Sequence, residues 1–166
     1  MALVTKNAGK KVGNGKISSK AQEATALLRA DHKRVSELFA DYEKARSTAQ
    51  KQKLVSQICT ELTVHAQVEE EIFYPAVKRA LKDKELVPEA TVEHETVKDL
   101  IAQIEGVKPD GEMFDAKVKV LSEYVKHHVK EEHEEMFPKA RSTPLDMVEL
   151  GARLAERKAE LIAQRN

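Results

Sequence analysis

The sequence predicts an all-α protein: an up-down-up-down antiparallel four-helix bundle followed by one further helix at the C-terminal end. Three observations lead there. Good helix formers dominate, with only 6 Gly, 5 Pro and no Trp among 166 residues. Apolar residues recur at helical spacing through five long stretches. The stretches are joined by short breaks, which favour antiparallel neighbours.

The first segment runs from about residue 22 to 46 and places Leu28, His32, Val35, Phe39 and Tyr42 on one stripe. The second, about 49 to 81, carries Leu54, Ile58, Leu62, His65, Glu69 and Ile72. The third opens after Pro88, aligns Val87, His94, Val97, Ile101 and Ile104, and stops at Gly106. The fourth, about 112 to 137, aligns Phe114, Val118, Leu121, Val125, His128 and Glu132, with Asp110 as its cap. "ARSTAQ", "KDKELVP" and "GVKPDGE" separate them, and Pro75 and Pro138 are expected to kink or end their helices. "STPLDMVEL" then restarts a helix, with Thr143 as N-cap and Pro144 in the first turn. Its stripe of Met147, Leu150, Leu154 and Leu161 must pack on the bundle or on a partner subunit, so homo-oligomerisation through this helix is an open expectation. The expected organisation is a flexible basic tail at 1–21, a bundle at 22–140 and the amphipathic helix at 141–166.

Charge and composition exclude several classes. The 28 basic and 28 acidic residues balance, but Lys6, Lys10, Lys11, Lys16 and Lys20 all lie in the tail, so the remainder, with 23 basic against 28 acidic residues, is mildly acidic. No nucleic-acid surface is expected from that balance. No apolar run approaches the roughly 20 residues of a membrane span, and no apolar leader precedes the first helix, so a cytoplasmic protein is expected. The single Cys59 fits a reducing compartment and reads as a half-buried apolar neighbour of Ile58 and Leu62.

Within this framework two stretches echo one another. "HAQVEEEIFYP" at 65–75 and "HVKEEHEEMFP" at 128–138 each set a carboxylate four residues after a histidine, on the same helical face, and end in Pro ten residues after that histidine. His32 precedes His65 by 33 residues and His94 precedes His128 by 34, so the chain reads as one helical hairpin written twice. One histidine on an apolar stripe is ordinarily a hydrogen-bonded core residue. Four histidines and two glutamates on the inward stripes of four successive helices are different, because burying such carboxylates without a positive partner costs several kcal/mol each. No basic residue recurs on those stripes, whereas imidazoles do, and neutral imidazole is a good metal ligand. His32, His65, Glu69, His94, His128 and Glu132 are therefore the candidate metal ligands. They suit two ions, each with a His pair and both sharing carboxylates. Imidazole with carboxylate favours iron over calcium or magnesium and also accommodates zinc or manganese.

These residues resemble the hemerythrin family, specifically the hemerythrin-like HHE cation-binding domains, over about residues 25 to 140. The resemblance implies a bundle around two non-haem iron ions with a bridging oxo or hydroxo group, and a position where dioxygen or peroxide binds. It implies further that His32 and His65 hold one iron, His94 and His128 the other, and that Glu69 and Glu132 bridge. Oxygen-carrying members place a second histidine four residues after the third-helix one, where this chain has Lys98, and commonly use His-x-x-x-x-Asp in the last helix, where this chain has Glu132 at i+4. The expected function is binding or turnover of dioxygen or peroxide, with catalase-like, peroxidase-like or oxidase activity open. An iron, oxygen or redox sensor, an iron-handling module and an oxidase of an organic substrate are the alternatives. Among neighbours, His127 is expected at the boundary or just behind the ligands, His133 on the surface, Tyr124 in the core or just behind the ligands, and either Tyr124 or Glu61 could orient an imidazole.

Overall fold

The computed structural model describes residues 22–165. The basic tail expected at 1–21 lies outside the described residues. Five helical rods follow one another. Helix α1 is Ala24–Lys44. Helix α2 starts as Thr48–Val68, passes through a π turn at Glu69–Phe73 and continues as Tyr74–Leu81. Helix α3 is Leu86–Ile104. Helix α4 runs Gly111–Glu131, through a second π turn at Glu132–Met136, and on as Phe137–Arg141. Helix α5 is Met147–Arg165. The first four form the expected bundle, and α5 lies along α1 and α2.

Local chemistry sets the helix starts. Glu23 caps α1 by accepting from the Ala26 amide at 2.8 Å, and Ser47 caps α2 by accepting from the Gln50 amide at 3.2 Å. Helix α3 opens at Leu86, ahead of the expected start after Pro88. Asp83 accepts from the Leu86 and Val87 amides at 3.2 and 2.8 Å, and a proline is tolerated in a first turn where no amide is required. Asp110 precedes α4, yet its side chain makes no cap bond. The cap of α5 is Asp146 rather than Thr143: its Oδ1 accepts from the Val148 and Glu149 amides at 3.2 and 3.0 Å, whereas the Thr143 hydroxyl is committed to the Ala140 carbonyl at 2.6 Å. Pro75 and Pro138 do not end their rods. In each case the chain first widens into the π turn, with the Tyr74 amide donating to the Glu69 carbonyl and the Phe137 amide to that of Glu132, and proline then occupies the opening turn of the continuing helix.

Two apolar cores result. One, built on Val35, Phe39, Ile58, Leu62, Ile101, Phe114 and Leu121, fills one end of the bundle. The other, built on Leu28, Val68, Phe73, Phe137, Leu150 and Leu154, fills the opposite end and seats α5. Cys59 is fully buried in the first core, deeper than the sequence suggested. Gly151 lets α5 cross closely, because a Cβ there would stand 2.2 Å from the Gln22 carbonyl oxygen. Between the two cores lies a polar layer that contains all six candidate ligands, each of them buried.

Candidate metal centre

Each ligand is placed by its helix register. His32 sits one turn from Leu28 and nearly one from Val35 on the buried face of α1, and His94 lies likewise between Ala90 and Val97 on α3. His65 and Glu69 close the α-helical part of α2, and His128 and Glu132 do the same in α4, so the sequence repeat becomes a spatial one. The four imidazoles meet in pairs. His32 Nε2 lies 3.1 Å from His65 Nε2, and His94 Nε2 lies 3.1 Å from His128 Nε2. Each carboxylate spans both pairs. Glu69 Oε1 is 3.1 Å from His65 Nε2 and 3.3 Å from His94 Nε2, while Glu132 Oε1 is 3.0 Å from His128 Nε2 and 3.5 Å from His32 Nε2.

Those carboxylate contacts are close without being aligned as hydrogen bonds. Both Glu69 oxygens and Glu132 Oε1 are buried and lack a hydrogen-bond partner among the described residues. Orphaned buried carboxylate oxygens cost several kcal/mol unless a cation answers them. At 3.1 Å the two nitrogens of each pair are close enough to bind one ion together. The donor set thus fits metal binding: the candidate ligand atoms of His32, His65, Glu69 and Glu132 lie within 4.8 Å of one another, as do those of Glu69, His94 and His128.

The outer nitrogens of the imidazoles meet a different environment at each position. His65 Nδ1–H donates to Asp31 Oδ2 at 2.9 Å, and the other Asp31 oxygen accepts from Lys158 of α5. His128 Nδ1–H donates to Glu93 Oε1 at 3.1 Å. His94 Nδ1 is 3.6 Å from Glu70, whose carboxylate is held by Lys98 at 2.7 Å. His32 Nδ1 faces His133 Nε2 at 2.8 Å. Fixing Nδ1 to a carboxylate leaves Nε2 as the nitrogen aimed inward.

Charge follows this geometry. Burial alone would push the His65 imidazole down, but the Glu69 charge at close contact and the hydrogen bond to Asp31 carry it up to about 10. Burial opposes the His128 charge likewise, and the Glu132 charge at close contact with the hydrogen bond to Glu93 carries it up to about 11. Burial favours the neutral form of Glu69, yet the His65 charge and the surrounding polar contacts hold its carboxyl well below the ordinary range. Without metal, the Glu69 charge is thus held against burial by the His65 imidazole beside it.

The structure corrects several expectations about the neighbours. His133, expected on the surface, is half-buried and packs its ring 5.5 Å from Phe137, against His32. Tyr124 is 46% exposed and points away from the layer. Glu61 pairs with Arg34 at 3.2 Å instead of orienting an imidazole. His127 is largely exposed and pairs with Glu93 and Glu131. Lys98 turns outward to Glu70 and Glu95. One residue that sequence reasoning passed over is central: the Tyr74 hydroxyl lies 3.1 Å from both His94 Nε2 and His128 Nε2 and donates to Glu132 Oε2 at 3.4 Å. Burial, with the Glu132 and Glu69 charges, raises its pKa well above the ordinary tyrosine value, so it keeps its proton.

A helical bundle closed around a buried His and Glu layer is the architecture of hemerythrin-like cation-binding domains. The chain belongs to the hemerythrin HHE cation binding domain family, which matches residues 23–140. It is 30% identical over 116 residues to a DNA nickase of Nostoc sp. (strain PCC 7120), covering 70% of this chain and 33% of that protein. The chain therefore spans about a third of the length of that relative. Its fold is similar to the crystal structure of a hemerythrin HHE cation binding domain-containing protein from Mycobacterium kansasii, with TM-score 0.74, 22% identity, and coverage of 86% of this chain and 89% of that one. Among the described residues no helix is long and apolar enough to cross a membrane.

Proposed function

We propose that this chain is a cytoplasmic di-iron protein that binds or turns over dioxygen or peroxide. One observation carries the reading: the two fully buried glutamates, each within reach of an imidazole from both histidine pairs, have oxygen atoms that no hydrogen bond among the described residues satisfies. In this reading His32 and His65 hold one iron, His94 and His128 the other, and Glu69 and Glu132 span the two. Imidazole with carboxylate donors favours iron over calcium or magnesium. The bound iron pair would supply Lewis acidity and exchange electrons with a small oxidant.

The chain's own residues do the rest. Glu69 and Glu132 would neutralise the charge of the bound metal. Asp31 and Glu93 hold the His65 and His128 rings by their Nδ1 protons. Tyr74 presents a protonated hydroxyl toward the α3 and α4 imidazoles, where it can donate a hydrogen bond to an oxygen ligand. Phe137 stacks parallel to the His32 ring at 6.0 Å and meets Phe73 edge-on at 5.6 Å, helping to keep the layer dry from one side.

The test is iron loading under anaerobic conditions, followed by metal analysis and peroxide addition with an oxygen electrode in place. Close to two irons per chain and release of gas are expected. Well under one iron per chain would overturn the metal reading. Two irons whose absorption spectrum ignores peroxide, dioxygen and azide alike would leave an iron-handling or sensing module in place of the oxidant chemistry.

A further inference from the structure

Three imidazoles of the layer are backed by groups from within the four-helix bundle, but the support of the fourth reaches outside it. Asp31 is buried on α1, with one oxygen on His65 Nδ1 and the other on the Lys158 ammonium. Lys158 belongs to α5, beyond the stretch at 23–140 that the family shares. Helix α5 is well anchored: Leu150, Leu154 and Leu161 are in the core, Gly151 lies against the start of α1, and Arg157 bridges to Glu71 of the α2 π turn at 2.7 Å. The charge chain Lys158–Asp31–His65 is thus carried on a rigid rod. It has no equal at the other positions. Glu93, behind His128, is partly exposed and shared with the exposed His127, and Glu70, behind His94, is 3.6 Å from the ring and held by the half-exposed Lys98.

We propose that Lys158 is a positioning residue through which docking of α5 sets the affinity of the His32/His65 ion position selectively over the His94/His128 position. The physical reason is local. A buried carboxylate held at both oxygens cannot swing away from the ring it grips, and outer partners of ligating imidazoles ordinarily change metal affinity 10–100-fold. With Lys158 removed, Asp31 keeps one partner, and the His65 ring loses its fixed orientation. The inference rests on the metal reading above.

The experiment compares wild type with Lys158→Met, Lys158→Arg and, as a control on the same helix, Arg165→Met, which breaks only the bridge to Glu105 at the far end. Stepwise iron(II) binding is followed anaerobically by calorimetry, and the histidine ring nitrogens of the metal-free proteins by long-range nitrogen-15 spectra. Lys158→Met is expected to weaken one of the two equivalents about tenfold, at the low end of the range for such partners. The other equivalent stays, Lys158→Arg restores binding, and Arg165→Met changes neither. The His65 ring signals move in Lys158→Met and return in Lys158→Arg. Equal weakening of both equivalents, weakening in Arg165→Met as well, or unmoved His65 signals would overturn the proposal. A wild type that takes up no iron overturns the metal reading itself, whereas two unaltered equivalents in Lys158→Met overturn the Lys158 proposal alone.

Discussion

Replacing Glu69 by Gln keeps the side-chain shape and removes the charge at the point where both histidine pairs meet. In the metal-free protein the carboxylate is fully buried and draws protons onto its imidazole neighbours. Removing one partner of a buried charge cluster leaves the other uncompensated, so the metal-free protein is expected to lose about 3 kcal/mol. The loaded protein responds differently. With free iron(II) about 100-fold above each dissociation constant, two ions stabilise wild type by about 2.7 kcal/mol each. For a domain of this size that is a Tm gain of roughly 10–20 °C. Glu69 Oε1 lies near one imidazole of each pair, so Gln weakens both positions. A loss on the order of 100-fold at each reduces the gain to roughly 2–3 °C at the same iron concentration. Anaerobic thermal melts with and without iron, paired with metal analysis, measure this directly. A variant that retains the whole gain, or whose metal-free Tm falls as far as its loaded one, would show that Glu69 is a structural carboxylate.

Three further outcomes follow from the same geometry. The His65 and His128 pKa values, at about 10 and about 11, are raised above the ordinary histidine value near 6.5. Their contribution to metal-free stability is complete below pH about 6.5 and lost as pH rises toward 10–11. Metal-free melts should therefore drop across that window, and iron uptake at pH 7 should release protons measurable in weak buffer. His133→Ala, which the sequence alone would leave harmless, is expected to weaken the His32/His65 ion by several-fold because His133 meets His32 Nδ1 at 2.8 Å; calorimetric titration checks this, and unchanged affinity would reduce the contact to packing. Gly151→Ala drives a Cβ against the Gln22 and Ala24 backbone at 2.2 and 2.9 Å, so α5 must shift, at a cost of about 1–3 kcal/mol in denaturant unfolding.

The bundle and the six-residue layer were legible because both rest on periodicity. A 100° step per residue puts His65 with Glu69, and His128 with Glu132, on one face, and the duplicated spacing selects the face. The same rule hides Tyr74. Five residues after Glu69, a regular α-helix would turn it about 140° away, yet the π turn takes up the extra residue and brings its hydroxyl to the α3 and α4 imidazoles. The second π turn acts likewise on Phe137, which stacks on His32, and within it His133 faces the same ring. Proline in "FYP" and "MFP" suggested a break, but nothing in composition distinguishes a break from a widened turn that continues. Lys158 was hidden for another reason: its link to Asp31 crosses 127 residues and is created by docking, which the helical pattern of α5 does not encode.

The placement of the polar layer between two separate apolar cores has a mechanical consequence. Greasy contacts weld the four rods at both ends, while the waist depends on whatever balances its carboxylates. Filling it with cations rivets the rods across the middle, and emptying it leaves a seam of like-minded acids and borrowed protons. Amide exchange in the metal-free protein should accordingly be fastest around the girdle of the rods, and slow most there when the cations arrive.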